Sequence, residues 1–185
     1  SDFDNTDIYH KNEIYFLHAP NNILDSITKV IISPGFESNH KIIQEIRDKN
    51  IEIVTDIDIF KSIYNGDIIS VTGTNGKTTV VSMLEKVLND SGRSAVACGN
   101  NGFPPLQLSN FDFDFAILEL SSYQLEYMKN HKTRVGVILN ISIDHMERHK
   151  NITQYTNIKK NILKDAEIKI ADIQLQDNLR DHQVC

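Results

Sequence analysis

Residues 67–79 of the chain read DIISVTGTNGKTT, and this stretch decides how the remaining sequence is interpreted. It begins with the closely spaced apolar residues of a short buried strand and then enters a glycine turn at 73–76. Lys77 follows at the start of a pattern typical of a helix. Strand, glycine turn, lysine and helix form the layout of a phosphate-binding loop, in which backbone N–H groups and the positive end of the helix dipole face phosphate oxygens. We therefore predict that this stretch binds a nucleoside triphosphate.

The predicted phosphate contacts are Gly73, Thr74, Asn75, Gly76, Lys77, Thr78 and Thr79. In such a loop the lysine offsets the charge of the β- and γ-phosphates, and the hydroxyl that follows it can bind Mg²⁺. The spacing departs from the pattern G-x-x-x-x-G-K-[ST], because Val71 stands where that pattern has glycine. The alternative is a turn that carries a lysine by coincidence, and the flanking strand and helix argue against it.

The composition limits the kind of protein. With 185 residues and 40% apolar content, the chain can bury a core and form one large or two small domains. Its net charge of −6 argues against nucleic-acid binding. The sequence shows no apolar run near the roughly 18 residues of a membrane helix and no secretory leader, so we expect no membrane insertion. Cys98 and Cys185 do not make a disulfide framework, which favours a reducing cytoplasm, and Cys98 is expected to be a buried, inert thiol.

The order of strand and helix patterns predicts an α/β protein. In residues 1–65 the predicted strands are 14–17, 29–33 and 51–54, and the predicted helices are 38–49 and 56–63, with Asp56 as a helix cap. In residues 66–185 the predicted strands are 67–71, 94–98, 115–120 and 135–140, and the predicted helices are 78–91, 121–130 and 152–165. Strands that alternate with helices favour a mostly parallel sheet covered on both faces, and turn residues at 64–66 mark a boundary between two domains.

Residues that could take part in chemistry follow or end the predicted strands, where ligands collect in such sheets. They are Thr72–Gly73, Gly99–Asn100, Glu119 and Asn140. Glu119 lies in the apolar run FAILEL, and a buried carboxylate is costly unless it is paired or binds a metal. Beside a nucleotide loop that metal would be Mg²⁺, and the alternative is a glutamate at the strand end that reaches solvent.

Two further side chains are candidates for chemistry. Asp144 and His145 follow a strand and suit a metal or phosphate contact, although an exposed Asp–His pair is equally compatible with the pattern. The other histidines, including His131 and His149, are expected to be solvated. Lys159 lies along the apolar stripe of its helix, where a desolvated amine loses its proton more easily. The alternative is a lysine at the edge of the stripe that extends its amine to water.

Several segments together resemble one family, the Mur ligases of peptidoglycan synthesis. The resemblance rests on GTNGKTT (73–79), GNNGFP (99–104), LELSSYQLE (118–126), ILNISIDHMERH (138–149) and QYTNIKKNIL (154–163), with SPG (33–35) upstream. The segment at 118–126 resembles the members that add D-glutamate. The resemblance implies a cytoplasmic, ATP- and Mg²⁺-dependent ligase that joins D-glutamate to UDP-N-acetylmuramoyl-L-alanine through an acyl phosphate. We expect it to be a monomer.

The same resemblance implies a domain plan. Residues 1–65 would be a partial Rossmann-like domain for the uridine nucleotide, and residues 66–185 an incomplete P-loop ATPase domain. The amino-acid-binding domain of the family has no counterpart in the sequence, so the chain is expected to be a truncated product. The segment 168–185 is not expected to continue the ATPase domain.

Roles also follow from the resemblance, residue by residue. Catalytic roles fall on Lys77, His145 and Lys159; metal contacts fall on Thr78, Glu119, His145 and a carbamylated Lys159. Substrate contacts fall on Ser33, Pro34, Gly35, Asn100, Ser121 and His145. Two other readings stay open. A folyl-polyglutamate-type ligase would normally carry GKGS where this chain has GKTT. Against a non-catalytic nucleotide-binding remnant, sequence decay is not expected to preserve Lys77, Glu119, His145 and Lys159 together.

Overall fold

The computed structural model describes residues 10–11, 14–15 and 23–172. The first part contains strands β1 (His10–Lys11), β2 (Ile14–Tyr15), β3 (Lys29–Ile31) and β4 (Glu52–Val54) and helices α1 (Lys41–Asp48) and α2 (Asp56–Ile63). The second part contains strands β5 (Asp67–Thr72), β6 (Ala95–Gly99), β7 (Phe115–Glu119), β8 (Thr133–Ile138) and β9 (Ala166–Ala171) and helices α3 (Lys77–Asp90), α4 (Ser122–Tyr127) and α5 (Ile152–Lys160). Within these described residues, no helix is long and apolar enough to span a bilayer.

The first part is a small βαβ unit. Strands β3 and β4 pair in parallel, with Val30 opposite Ile53, and α1 connects them. Ile43 and Ile46 of α1 are buried against these strands, and Tyr127 of α4 closes the same core. The predicted strand 14–17 is described at Ile14–Tyr15, and its remaining residues lie outside the described part of the chain.

Helix α2 spans the predicted range, but its cap is the residue before the predicted one. The Thr55 side chain accepts a hydrogen bond from the Asp58 backbone N–H at 3.1 Å, and the Asp58 carboxylate accepts one from the Thr55 N–H at 2.9 Å. This reciprocal arrangement is a capping box, so the prediction of Asp56 as the cap is wrong. Ile57 and Phe60 of α2 pack into the core of the five-stranded sheet. A domain boundary at 64–66 stays a prediction.

The second part is a five-stranded sheet in the order β6-β7-β5-β8-β9, and every neighbouring pair in it is parallel. Helix α3 covers one face, whose buried residues are Ile69, Val71, Val81, Ala95, Ile117 and Val137. The other face packs on α2, α4 and the 3-10 turn Asn161–Leu163, and its core includes Phe60, Val96, Leu118, Leu125, Ile138 and Ile162. The predicted parallel sheet with both faces covered is confirmed.

Two predicted boundaries moved for identifiable reasons. Helix α4 ends at Tyr127 rather than near residue 130, because the Asp58 carboxylate accepts the backbone N–H groups of Lys129 (2.9 Å) and Asn130 (2.7 Å). The backbone is extended at Met128, so the helix cannot continue through these residues. Strand β8 begins at Thr133, earlier than predicted. The Thr133 hydroxyl donates a hydrogen bond to the carbonyl of Ile68 on β5 at 2.7 Å, which holds this residue in the sheet.

The expectation that the end of the chain does not continue the sheet is wrong for its described part. Strand β9 pairs in parallel with β8, with Ile168 opposite Val135. It is the last strand of the described sheet, and Ile168 and Ile170 are each 50% exposed, so the sequence lacks the pattern of a strand buried on both faces. Residues 173–185, with Cys185, lie outside the described residues. Cys98 is buried as predicted, and burial raises the pKa of its thiol to about 12.

The end of β6 requires glycine. Gly99 has φ +108°, and a Cβ there would lie 2.3 Å from the backbone oxygen of Glu119. We predict that Gly99→Ala lowers the free energy of unfolding by about 3 kcal/mol, since it combines backbone strain with a main-chain clash. Gly92→Ala is the control: φ is +84° there, but the space is open, and the expected loss is about 1 kcal/mol. Urea unfolding measures the free energy of unfolding of both variants. Equal losses in the two variants would contradict the main-chain clash at Gly99.

Candidate functional site

The glycine loop lies at the carboxyl end of β5 and is held in shape by Asn140. The Asn140 Oδ1 accepts the backbone N–H groups of Thr74 (3.1 Å) and Asn75 (2.9 Å), and its Nδ2 donates to the Asn75 carbonyl at 3.0 Å. Asn140 follows β8, the strand next to β5 in the sheet. The sequence placed Asn140 at a strand end but gave no sign that it braces the loop.

Lys77 begins α3 and folds back over the loop. Its Nζ donates to the carbonyls of Gly73 and Thr74, both at 2.9 Å. The ammonium group therefore lies at the mouth of the turn rather than in solvent. This is where a lysine offsets the charge of a phosphate held by such a loop.

Glu119 lies on the other side of the loop and is 2% exposed, so the alternative of a glutamate that reaches solvent is wrong. Its Oε2 accepts a hydrogen bond from Thr78 Oγ1 at 2.8 Å, and its Oε1 accepts one from Asn100 Nδ2 at 3.1 Å. Asn101, which sequence reasoning did not single out, donates to Thr78 Oγ1 at 3.3 Å. Helix α3, strand β7 and the β6–β7 connection thus bring Thr78, Glu119 and Asn100 together, with Glu119 bonded to both of the others.

These oxygens fit a magnesium ion that is shared with a nucleotide. Mg²⁺ prefers oxygen ligands and is usually bound by one or two protein groups, with water and phosphate oxygens completing the shell. Thr78 and Glu119 supply one hydroxyl and one carboxylate. No cluster of three or more histidine, cysteine or acidic side chains that could hold a metal occurs among residues 10–11, 14–15 and 23–172. The donor set therefore suits a metal bound together with phosphate, not a cage made of protein alone.

Lys159 points into the molecule, as its helical position predicted. It is 1% exposed, and its Nζ donates to the Gly73 carbonyl at 2.9 Å and to Thr72 Oγ1 at 3.2 Å. The Nζ also lies 4.8 Å from the ring centre of Tyr155. Burial, and then the positive charge of Lys77, lower the pKa of Lys159 to about 7. The alternative of a lysine extended to water is wrong, and a neutral amine is accessible near neutral pH.

His145 joins the same region through two tyrosines. Its Nδ1 lies 3.1 Å from the Tyr123 hydroxyl, and its ring centre lies 6.5 Å from that of Tyr155. The Tyr155 hydroxyl lies 3.2 Å from Thr74 Oγ1 in the glycine loop. His145 therefore stands beside the loop but, unlike Lys159, makes no direct hydrogen bond to it among the bonds described.

The expectation that His131 and His149 are solvated is wrong. They are 7% and 1% exposed, and burial lowers the pKa of each. His149 Nε2 lies 2.9 Å from Ser122 Oγ, and its ring packs near Tyr123 and Tyr155. A single histidine after a charged run carries no periodic signal, so the sequence could not reveal this burial.

The predicted substrate contacts divide between two places. Asn100 lies at Glu119, and Ser121 caps α4 by accepting the Gln124 N–H at 3.2 Å. The segment Ser33–Gly35 belongs to the βαβ unit, and its carbonyls at Pro34 and Gly35 accept N–H groups of Arg148, both at 3.3 Å. The sequence brought 33–35 to attention only through the family resemblance, and it gave no sign of the Arg148 contact.

The parallel sheet, the glycine loop at the end of its central strand and the lysine that opens the next helix define a P-loop-type α/β domain. Residues 71–183 match the family profile of the Mur ligase middle domain. The chain therefore belongs to the Mur ligase family.

Two curated relatives share one name. A protein of Buchnera aphidicola (subsp. Acyrthosiphon pisum, strain Tuc7), named UDP-N-acetylmuramoylalanine--D-glutamate ligase, is 45% identical over 77% of this chain and 33% of its own length. A protein of the same name from Caldicellulosiruptor saccharolyticus is 33% identical over 90% of this chain and 38% of its own length. The chain thus spans about a third of the length of these curated relatives.

Solved structures support the fold. A MurF ligase from Thermotoga maritima, solved in complex with ADP, matches with a TM-score of 0.54 and 17% identity, over 85% of this chain and 48% of that one. The UDP-N-acetylmuramate:L-alanyl-gamma-D-glutamyl-meso-diaminopimelate ligase (MPL) from Neisseria meningitides matches with a TM-score of 0.54 and 17% identity, over 87% of this chain and 58% of that one. At this identity the likeness shows the architecture, and it confirms the predicted fold class.

The lowered pKa of Lys159 predicts a pH-dependent stability. Its pKa is about 7 in the folded protein against an ordinary value of 10.5, so between these pH values the unfolded chain binds a proton that the folded chain lacks. Raising the pH across this range therefore stabilises the native state, by at most about 1.4 kcal/mol per pH unit from this group. Lys159→Met should lose that part of the slope.

The measurement is urea unfolding between pH 7.5 and 9.5. Lys160→Met is the matched control, because Lys160 is the next residue on α5 and is only half-buried. The control should keep the slope of the unmodified protein. If the free energy of unfolding rose equally with pH in Lys159→Met and in the unsubstituted protein, the Lys159 amine would not be a buried group that titrates in this range.

Proposed function

We propose that this chain carries the ATP site of a ligase that adds D-glutamate to UDP-N-acetylmuramoyl-L-alanine during peptidoglycan precursor synthesis. The observation that carries the proposal is the meeting of Lys77, Lys159 and the Thr78–Glu119 pair around one glycine loop. The names of relatives at 33–45% identity supply the acceptor and favour this reaction over a folyl-polyglutamate-type ligase. The part that contains the five-stranded sheet would bind ATP, and the βαβ unit would bind the uridine nucleotide, both in the cytoplasm.

The chemistry begins with two anions that must approach each other. The carboxylate of the muramoyl-alanine attacks the γ-phosphorus of ATP, the bond to the bridging oxygen breaks, and an acyl phosphate and ADP form. The amine of D-glutamate then attacks the acyl carbon, loses a proton and displaces inorganic phosphate, which leaves the amide. Lys77 lies where it would offset the negative charge that develops on the transferred group.

Magnesium would lower the same repulsion. Thr78 and Glu119 would hold one ion together with phosphate oxygens, and His145 would contribute to a second. A bound ion supplies positive charge to the phosphates and orients them. Asn100 fixes the Glu119 carboxylate from the side away from Thr78, so that this side chain has one preferred orientation.

Lys159 would act after modification by CO₂. The neutral amine adds to the carbon of CO₂ and loses a proton, which yields a carbamate. Burial supplies the neutral amine near pH 7, and the adjacent Lys77 would offset the new negative charge. The result is a further anionic ligand beside Thr72 and Gly73.

Phosphate release tests the proposal. The chain is incubated with ATP and Mg²⁺, with UDP-N-acetylmuramoyl-L-alanine, and with or without D-glutamate. We expect phosphate release that requires the muramoyl substrate, and a further rise on addition of D-glutamate would show the complete ligase reaction. Release that ignores both substrates would show a plain ATPase, and ATP binding without any release would favour a non-catalytic nucleotide-binding remnant.

The same assay, with calorimetry, tests the loop. Lys77→Ala should weaken ATP binding by about 10- to 100-fold, because charge-assisted hydrogen bonds of about 1.5–3 kcal/mol are lost. Lys86→Ala is the matched control: Lys86 lies on the same helix, exposed and paired with Asp90, and its loss should leave affinity unchanged. Unchanged affinity in Lys77→Ala would reject the loop as the ATP site.

Carbamylation of Lys159 predicts a spectroscopic signal that does not depend on activity. The protein is equilibrated with ¹³C-bicarbonate, and carbamate is observed by ¹³C NMR. We expect one protein-bound carbamate resonance that is absent in Lys159→Met and retained in Lys160→Met. A resonance that persists in Lys159→Met would assign the modification elsewhere.

A further inference from the structure

Arg148 joins the two parts of the molecule and lies close to His145 on the same loop. Its side chain is 7% exposed and forms an ion pair with Glu126 of α4, whose side chain is 11% exposed. The Arg148 Nε donates to Glu126 Oε2 at 3.0 Å, and its Nη2 lies 2.9 Å from the same oxygen. A buried pair of this kind is costly to break, because removal of one partner leaves the other charge uncompensated.

The two Nη nitrogens of Arg148 also bind the βαβ unit. They contact three consecutive backbone carbonyls, those of Pro34, Gly35 and Phe36. The Phe36 carbonyl also accepts the hydroxyl of Tyr127 at 3.0 Å. Only a guanidinium offers five N–H groups in a fixed planar arrangement, so one side chain can satisfy a carboxylate and several carbonyls together.

Arg148 also contacts the aromatic side chain that holds His145. The guanidinium carbon lies 5.1 Å from the ring centre of Tyr123, a distance typical of a cation–π contact. The hydroxyl of Tyr123 in turn lies 3.1 Å from His145 Nδ1. The turn at 33–36 and the imidazole of His145 are thus connected through one guanidinium and one tyrosine.

We propose that Arg148 is a positioning residue that fixes the Ser33–Phe36 turn against the loop bearing His145, so that the sugar nucleotide is presented to the ATP site. The proposal rests on the proposed function for the identity of that ligand. The geometric part does not, because it rests on the three carbonyls that contact Arg148 in the structure itself. Arg148 would act through Tyr123 and the carbonyls of the turn.

The test compares ligand binding and backbone exchange in the full chain. Calorimetry gives the Kd of UDP-N-acetylmuramoyl-L-alanine and of ATP, and hydrogen–deuterium exchange follows the Phe36 amide, which donates to the Ser33 carbonyl. In Arg148→Ala we expect sugar-nucleotide binding to weaken at least tenfold, ATP binding to change less than twofold, and the Phe36 amide to exchange faster. A merely structural role would weaken both ligands alike.

Two variants keep the test decisive. Arg148→Lys retains the charge beside Glu126 and should fold, but it cannot reach the same set of carbonyls, so it should show the same pattern in weaker form. Arg134→Ala is the matched control: Arg134 pairs with Glu167, and both side chains are at least half exposed, so neither readout should change.

The outcomes separate the two proposals. If the unmodified chain does not bind the sugar nucleotide, the proposed function fails, and faster exchange at Phe36 in Arg148→Lys still supports the positioning role. Unchanged exchange at the Phe36 amide in both Arg148 variants would overturn the positioning role. Equal loss of affinity for the sugar nucleotide and for ATP in Arg148→Lys would also overturn the positioning role.

Discussion

One carbonyl oxygen organises the site: that of Gly73, which accepts hydrogen bonds from the ammonium groups of both Lys77 and Lys159 at 2.9 Å. Burial is the main cause of the lowered pKa of Lys159, and the repulsion between two positive charges in contact with one backbone atom lowers it further. The arrangement is therefore relieved either by deprotonation of one lysine or by an anion. A phosphate and a carbamate are both anions, so the same constraint that destabilises the charged pair would favour the proposed ligand and the proposed modification of Lys159.

The sheet order makes that meeting possible. Strand β5 lies between β7 and β8, so its carboxyl end is flanked by Glu119 on one side and Asn140 on the other. The connection that leaves β5 runs to β6 beyond β7, whereas the chain later returns to β8 on the opposite side. A crevice forms where successive connections diverge in this way, and it is the usual ligand site of parallel α/β sheets. The glycine loop lies in that crevice because β5 is the central strand.

How far the sequence could predict the structure depended on the kind of signal. Strands buried on both faces gave continuous apolar runs, and Glu119 and Lys159 stood out because each interrupts an apolar pattern with a charge. Strand β9 was missed because an edge strand has no such run, and the burial of His149 was missed because a lone histidine has no period. Contacts from a side chain to distant carbonyls, as between Arg148 and Phe36, depend on backbone atoms that every residue shares. Such contacts leave no mark on residue type.

Helix α4 shows how the site and the arrangement of the two parts depend on the same few residues. Tyr123 contacts His145, Glu126 pairs with Arg148, and Tyr127 completes the core of the βαβ unit. Six residues cannot form a stable helix alone, so α4 is held by its capping box and by these tertiary contacts. A shift of α4 would therefore move the imidazole and the Ser33–Phe36 turn together. Because one short helix contacts both, the loop bearing His145 and the Ser33–Phe36 turn keep their spacing.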